Sequence, residues 1–304
     1  MALAETALAA ALWGTSFPVI SLGIKTGLDP WAFVFLRFAI AAPILLGVAV
    51  ALGRSVTPLL KSKAIWVIGL LNAIGFLCQF VGQRYTEASV AAILVNLSVV
   101  MAAVGGVVFL GEKLGISKVA GVALALGGGA MIATNGELAS IAGSEMLGYA
   151  LYLVAALSWG GYILYSKKKT DETQWDPLAA AACIVAVTAI LVLPPALASG
   201  SMPRLSTASV TAVIYTAVLN TVVPFALYQQ GLKYLSATTS AVMLVIEILI
   251  AVLISVAFLG ETLTAVGWGG ALAVSTSIIL VSRAEAGGKS LSVRVKDVSR
   301  VEDA

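Results

Sequence analysis

The sequence contains no histidine and only two cysteines, Cys78 and Cys183. The absence of histidine excludes metal sites with imidazole ligands, serine–histidine–aspartate catalysis and histidine proton relays. Each cysteine lies inside an apolar stretch, where a small packed side chain is a better interpretation than half of a redox pair. Charged residues are scarce as well, at 11% of the chain against about 25% in soluble domains. The net charge of +3 is scattered over short loops and forms no basic stripe for nucleic acid.

Apolar residues make up most of what is present, at 60% of the chain, and the mean hydropathy is +1.02. A membrane-spanning helix needs about 20 mostly apolar residues, and ten such stretches fit along this chain. They cover residues 4–24, 31–52, 64–83, 88–110, 115–135, 147–166, 178–199, 209–229, 236–259 and 265–283. The composition therefore predicts an all-α integral membrane protein with ten transmembrane helices, followed by a mobile polar tail at residues 284–304.

The basic residues predict the orientation, because short cytoplasmic loops accumulate Lys and Arg. With both termini in the cytoplasm, fourteen of the 18 Lys and Arg residues lie on the inner side. Lys25, Arg84 and Arg204 lie outside, and Arg37 lies within the second span. We therefore expect a multi-pass protein with both termini cytoplasmic. The compact chain with short loops suggests the inner membrane of a bacterium.

The two halves of the chain repeat each other. Four pairs of segments recur in the same order at shifts of 146 to 149 residues: Trp13-Gly14 with Trp159-Gly160, Asp29-Pro30 with Asp176-Pro177, Tyr85 with Tyr234, and Phe109–Leu114 with Phe258–Leu263. Residues 1–140 and 141–283 are thus predicted to be two five-helix repeats. Because five is odd, the second repeat enters the membrane from the opposite side. Inverted repeats of this kind allow alternating access to a site at the membrane midplane.

The repeat resembles the EamA-type unit of the drug/metabolite transporter superfamily. The resemblance rests on Ala11–Gly14 with Phe17-Pro18, on Arg37-Phe38, on Tyr85–Ser89 and on both Leu-Gly-Glu turns. It implies ten helices in an inverted repeat around a central cavity, and members that move amino acids and other metabolites, often outward. Family members often carry a proline where this chain has Val99 and Ile248, so we expect the fourth and ninth spans to be straighter than usual.

Polar residues inside spans usually face a cavity or another helix. Asn72 and Gln79 share one face of the third span, Asn96 and Ser98 interrupt the fourth, and Asn220 in the eighth lies close to the repeat equivalent of Asn72. Aromatic candidates complete the predicted substrate-binding set: Trp13 in the first span, and Tyr152, Trp159 and Tyr162 in the sixth. Amides, hydroxyls and aromatic rings suit a zwitterionic or amide-bearing solute. For each residue the alternative is a hydrogen bond that only joins helices.

Glu247 is the acidic residue deepest within a span, about 14 Å into the ninth helix at about 1.5 Å per residue. It is a candidate for proton coupling or for binding a substrate amine. The alternative is a structural carboxyl group that is either protonated or paired with Arg37, the only basic residue predicted within the membrane. Arg37 lies about six residues into its span, where its side chain could instead reach the membrane surface.

These features favour a secondary transporter of small polar metabolites, with amino-acid export driven by protons as its specific form. The expected partners are a small-molecule solute, protons and the lipid bilayer, without a cofactor, a metal or a nucleic acid. A non-transporting pore or scaffold of the same fold is the alternative. An intramembrane enzyme is disfavoured, because no cluster of nucleophile, base or metal ligands is evident.

Overall fold

The computed structural model describes the backbone of residues 1–85, 88–134, 145–200, 206–258 and 263–302, in which every regular element is helical. Within these ranges the structure describes all side chains except those of residues 21, 88–93, 96, 133, 145, 252, 255, 258 and 287–302. The α-helices are α1 (Ala2–Gly14), α2 (Ser16–Lys25), α3 (Pro30–Ala51), α4 (Thr57–Leu60), α5 (Lys63–Gly82), α6 (Ala88–Leu110), α7 (Ile116–Thr134), α8 (Glu145–Thr173), α9 (Pro177–Ala198), α10 (Thr207–Ala217), α11 (Val223–Tyr234), α12 (Ala237–Leu244), α13 (Ile246–Phe258) and α14 (Ala265–Glu302). A π-helical segment, Val218–Val222, joins α10 to α11.

Seven helical stretches of the described residues are long and apolar enough to cross a membrane. They are Ala2–Lys25, Pro30–Ala51, Lys63–Gly82, Met146–Thr173, Pro177–Ala198, Thr207–Tyr234 and Ala265–Ala286. Shorter apolar helices lie at Leu97–Leu110, Ile116–Ile132 and Ala237–Ala251. The chain is therefore a multi-pass, all-helical membrane protein. The arrangement of ten spans in two repeats stays a prediction.

The repeated Asp-Pro pairs begin equivalent helices. The Asp29 carboxylate accepts hydrogen bonds from the backbone N–H groups of Trp31 and Ala32, at 3.1 and 3.2 Å. The Asp176 carboxylate accepts in the same way from Ala179, at 3.0 Å. In each case the proline that follows occupies the first turn, where its missing N–H costs nothing. Side-chain capping and proline thus start α3 and α9 at the same point of each half.

Two prolines explain where the first and eighth predicted spans depart from a regular α-helix. A proline ring clashes with the carbonyl group four residues earlier and offers it no N–H donor. Pro18 acts on Gly14 in this way, and α1 ends there. Pro224 acts on Asn220, which lies in the π-helical segment. The Asn220 carbonyl is therefore free to accept hydrogen bonds from other helices.

The two halves of the chain interlock. The most extensive packing joins α7 to α14, α3 to α9, α5 to α8 and α6 to α8, each of which pairs a helix before residue 140 with one after it. α7 and α14 approach closely because glycines face each other: a Cβ atom added to Gly128 would lie 2.7 Å from the Gly270 carbonyl oxygen. Contacts between the halves therefore enclose the centre of the molecule.

One expectation about the second half is corrected by the structure. The ninth predicted span is not a straighter helix, since α12 and α13 are separated at Val245 without a proline. The Val245 N–H donates to the Val242 carbonyl three residues earlier, and that tighter turn ends α12. α6, in contrast, is unbroken from Ala88 to Leu110. α14 extends beyond residue 284 to Glu302, so most of the predicted polar tail is helical, and its mobility stays a prediction.

Candidate functional site

A central cavity lies between helices of both halves. It offers about 80 Å³ to the centres of water-sized molecules, enough for several waters or one small solute. The first half contributes side chains from α1, α2, α3, α5 and α6, and the second half contributes side chains from α8, α11, α12 and α13. The polar and charged side chains of the lining are Ser16, Arg37, Asn72, Gln79, Ser98, Tyr162, Tyr228 and Glu247.

Arg37 is held at the cavity wall by the irregular part of the eighth predicted span. Its Nη2 donates to the Asn220 carbonyl oxygen, and its Nε donates to Thr221 Oγ1, both at 2.6 Å. Trp13 Nε1 donates to the same carbonyl oxygen at 2.9 Å. The carbonyl accepts both donors because Pro224 leaves it without an intrahelical partner. Residues of α3 and of the π-helical segment, which are far apart in the chain, thus hold the Arg37 guanidinium in one position.

The Arg37 side chain is 1% exposed, so the expectation that it could reach the membrane surface is wrong. Its guanidinium carbon lies 4.7 Å from the centre of the Phe76 ring, within the range of a cation–π interaction. Its Nη1 is buried and has no hydrogen-bond partner among the described residues. A buried charged donor without an acceptor is costly, and a ligand in the cavity could provide that acceptor.

Glu247 places a carboxyl group at the cavity from the other half of the protein. It lies in the first turn of α13, directly after the break at Val245, and lines the cavity. Within the described part of the chain, Arg37 and Glu247 do not approach within the 4.0 Å of a direct ion pair. The guanidinium and the carboxyl group thus face one cavity without contacting each other. The described residues therefore contain no direct Arg37–Glu247 ion pair, and a protonated structural carboxyl group stays the alternative.

Aromatic rings form much of the remaining wall. Trp13 contacts Phe225 and Tyr228, with ring centroids 5.5 Å apart in both pairs. Phe76 contacts Trp159 edge-on at 5.5 Å. These separations are typical of favourable aromatic packing, so the rings form a packed apolar wall.

The structure brings eight of the predicted site residues to the cavity: Trp13, Arg37, Asn72, Gln79, Ser98, Trp159, Tyr162 and Glu247. Asn72 also donates to Thr188 Oγ1 at 3.0 Å, so its amide joins two helices as well. Tyr152 does not line the cavity, because its ring packs against Gly82 instead. The Asn220 side chain does not line it either, since its amide donates to the Leu12 carbonyl oxygen and to Thr15. The side chain of Asn96 lies outside the described residues.

Several lining residues were not predicted, among them Phe76, Phe225 and Tyr228. Phe76 lies four residues after Asn72 and three before Gln79, so helical spacing alone could have placed it on the same face. The Thr221 hydroxyl was also missed, although Pro224 three residues later marks the irregular backbone that positions it.

Comparison with known proteins places these features in a family. The model of the EamA-like transporter family matches residues 2–134 and 146–283. An uncharacterized transporter of Archaeoglobus fulgidus is 31% identical over 245 residues, covering 78% of this chain and 81% of that protein. A probable terminal-alkyne amino-acid exporter of Streptantibioticus cattleyicolor is 26% identical, covering 89% of this chain and 90% of that protein. An uncharacterized inner membrane transporter of Escherichia coli is 23% identical, covering 89% and 87%.

A crystal structure of a protein that is 17% identical in sequence superposes with a TM-score of 0.78. The match covers 92% of this chain and 98% of the other. At this level of identity the likeness shows a shared fold.

Proposed function

The chain belongs to the EamA-like transporter family, and from that premise we propose that it moves a small zwitterionic metabolite through its central cavity by alternating access. Export of an amino acid is the specific form of this proposal. The observation that carries it is that the Arg37 guanidinium and the Glu247 carboxyl group line one cavity without a direct contact.

The charges suit the two ends of an amino acid. Arg37 keeps a buried Nη1 donor free, and a carboxylate is the acceptor that a guanidinium binds most strongly. Glu247, which lines the same cavity from the other half of the protein, can accept hydrogen bonds from the ammonium group of the solute. A solute that supplies both groups gives hydrogen-bond partners to two side chains whose burial is otherwise costly.

The aromatic wall suits an apolar side chain on the same solute. Trp13, Phe76, Trp159, Phe225 and Tyr228 all line the cavity. Apolar contact with these rings adds binding energy for each methylene or ring that a solute buries. The relative from Streptantibioticus cattleyicolor, named a probable terminal-alkyne amino-acid exporter, supports the same class of solute.

The packing between the halves supports alternating access. α1 packs on α11, and α5 packs on α8. In the predicted repeat α1 corresponds to α8, and α5 corresponds to the span that contains α11, so each contact is the repeat equivalent of the other. A fold built from two such repeats can adopt two mirror-related tilts around one site.

We propose that both termini are cytoplasmic and that the protein works in a bacterial inner membrane, as the distribution of Lys and Arg predicts. Protons are the proposed coupling ion, with Glu247 as the group that carries them.

The proposal is tested with purified protein in proteoliposomes. A thermal-shift screen against amino acids and related metabolites first identifies a solute that raises the melting temperature. Flux of that solute is then followed with an inward or outward proton gradient imposed. Accumulation above the equilibrium level supports the proposal. Flux that only dissipates a solute gradient would instead indicate a pore of the same fold.

A further inference from the structure

A cluster of polar side chains lies at the start of α12, away from the cavity. The Glu112 carboxylate, in the turn between α6 and α7, accepts hydrogen bonds from the backbone N–H of Ala237 and from the Thr238 hydroxyl, the latter at 2.7 Å. A weaker bond from the Thr238 N–H to the same carboxylate measures 3.3 Å. Glu112 therefore satisfies N–H groups at a helix start that have no partner within the helix.

A second carboxylate meets the same helix start from α14. Glu285 Oε2 accepts from Thr239 Oγ1 at 2.8 Å and from Lys118 Nζ at 2.8 Å. Lys118 Nζ also donates to Ser236 Oγ, at 2.9 Å. The Lys118 and Glu285 side chains are 12% and 11% exposed, so their ion pair is largely shielded from water. Two negative charges at the start of α12 also complement the positive end of its helix dipole.

These bonds join the two halves of the protein. Glu112 and Lys118 belong to the first half, whereas α12 and Glu285 belong to the second. α12 already has a cap from its own sequence, because Ser236 Oγ accepts a hydrogen bond from the Thr239 N–H at 3.2 Å. The bonds between the halves are additional to that cap.

α12 itself fills the space between this cluster and the cavity. Each residue from Ala237 to Met243 is at most 3% exposed, so the helix is buried around its whole circumference. Its last residue, Leu244, lines the cavity, and the break at Val245 follows directly. Eight residues at about 1.5 Å each make α12 about 12 Å long. The cavity is thus separated from the Gly111 turn by a short helix that is held at its far end.

We propose that α12, held by Glu112 and Glu285, is the gate that closes the cavity on the side of the membrane where the Gly111 turn lies. The gate rests on the proposed alternating access, because opening to that side requires the bonds between the halves to break. Water can then satisfy the released N–H groups and carboxylates. The exchange of protein bonds for water bonds makes opening reversible.

The test measures from which side the cavity is reached. The full chain carries C78A and C183A, with S98C as the single cysteine in the cavity wall. Right-side-out and inside-out vesicles are treated with a small membrane-impermeant methanethiosulfonate, and the rate of reaction is recorded from each side. E112Q is expected to raise the rate from the Gly111 side about fivefold or more, since it weakens charge-assisted bonds to the closed gate. E172Q, which removes the same charge from the exposed end of α8, is the matched control and leaves the rate unchanged.

T238V provides a second variant, because it removes one donor to Glu112 and leaves the start of α12 intact. It is expected to change the rate in the same direction by a smaller factor. Reaction of both folded variants at the parent rate would overturn the gate. Solute flux, measured in parallel vesicles of E112Q and T238V that retain Ser98, separates the gate from alternating access. Normal flux with unchanged reaction rates refutes the gate alone, whereas no uphill flux and access from one side only refute alternating access itself.

Discussion

Replacement of Arg37 by methionine separates solute binding from folding. Arg37 makes two hydrogen bonds of 2.6 Å, to the Asn220 carbonyl and to Thr221. Bonds to a charged group contribute about 1.5–3 kcal/mol each, but burial of the charge costs several kcal/mol in return. The substitution orphans neither partner, because Trp13 still donates to the Asn220 carbonyl and Thr221 still donates to the Thr216 carbonyl, both at 2.9 Å.

The net change in stability for R37M is therefore expected to lie within about 2 kcal/mol of zero. Transport of a carboxylate-bearing solute is expected to fall about tenfold to a hundredfold, since a charge-assisted bond of about 1.5–3 kcal/mol is lost. R37K keeps the charge but not the planar fork, and it should retain an intermediate part of the flux. The assays are thermal unfolding followed by tryptophan emission, and initial rates in proteoliposomes.

Two results would refute this reasoning. Wild-type rates in R37M would show that the guanidinium does not bind the solute. A loss of stability above about 4 kcal/mol, with flux lost only because the protein unfolds, would make Arg37 a structural residue.

Two further predictions concern the coupling group and the packing of the halves. E247Q should abolish uphill transport and its dependence on pH while exchange of solute across the membrane continues; uphill transport with an unchanged pH profile would exclude Glu247 as the proton carrier. G128A should destabilise the protein by about 1–3 kcal/mol, because its new Cβ would lie 2.7 Å from the backbone oxygen of Gly270. The neighbouring G127A, with nothing within 4 Å of its Cβ, is the matched control and should be neutral or slightly stabilising in thermal unfolding.

Much of the fold follows from residues that act locally. Runs of apolar residues predict membrane helices because an unpaired backbone in lipid is too costly for other structures. The Asp-Pro pairs at residues 29 and 176 predict where α3 and α9 begin. Gly128 belongs to a run of glycines that indicates close helix packing, and it does face Gly270. In each case a single residue type has one main physical use.

Helical spacing predicted which helix faces line the cavity, but not how far along each helix the cavity extends. Tyr152 shares a face of α8 with Trp159, but seven residues correspond to about 10 Å along a helix. The cavity ends within that distance, and Tyr152 packs on Gly82. Helical periodicity contains no information about where along a shared face an opening begins or ends.

Asn220 shows a second limit. Its correspondence with Asn72 suggested a side chain in the cavity, whereas the structure uses its backbone carbonyl to hold Arg37. Pro224 leaves the Asn220 carbonyl without a partner in its own helix. Which hydrogen bonds that carbonyl then accepts depends on the donors of neighbouring helices. Such tertiary partners cannot be deduced from spacing within one helix. The break at Val245 is of the same kind, since no local breaker residue marks it.

The antiparallel insertion of the two halves is the claim on which the transport mechanism depends. Lys113 and Thr262 occupy equivalent positions in the two Leu-Gly-Glu turns, at a shift of 149 residues. Single cysteines at these positions, in a chain with C78A and C183A, can be treated with a membrane-impermeant maleimide in right-side-out and inside-out vesicles. We predict that K113C reacts in inside-out vesicles and T262C in right-side-out vesicles. Reaction of both cysteines from the same side of the membrane would contradict the inverted repeat, and alternating access with it.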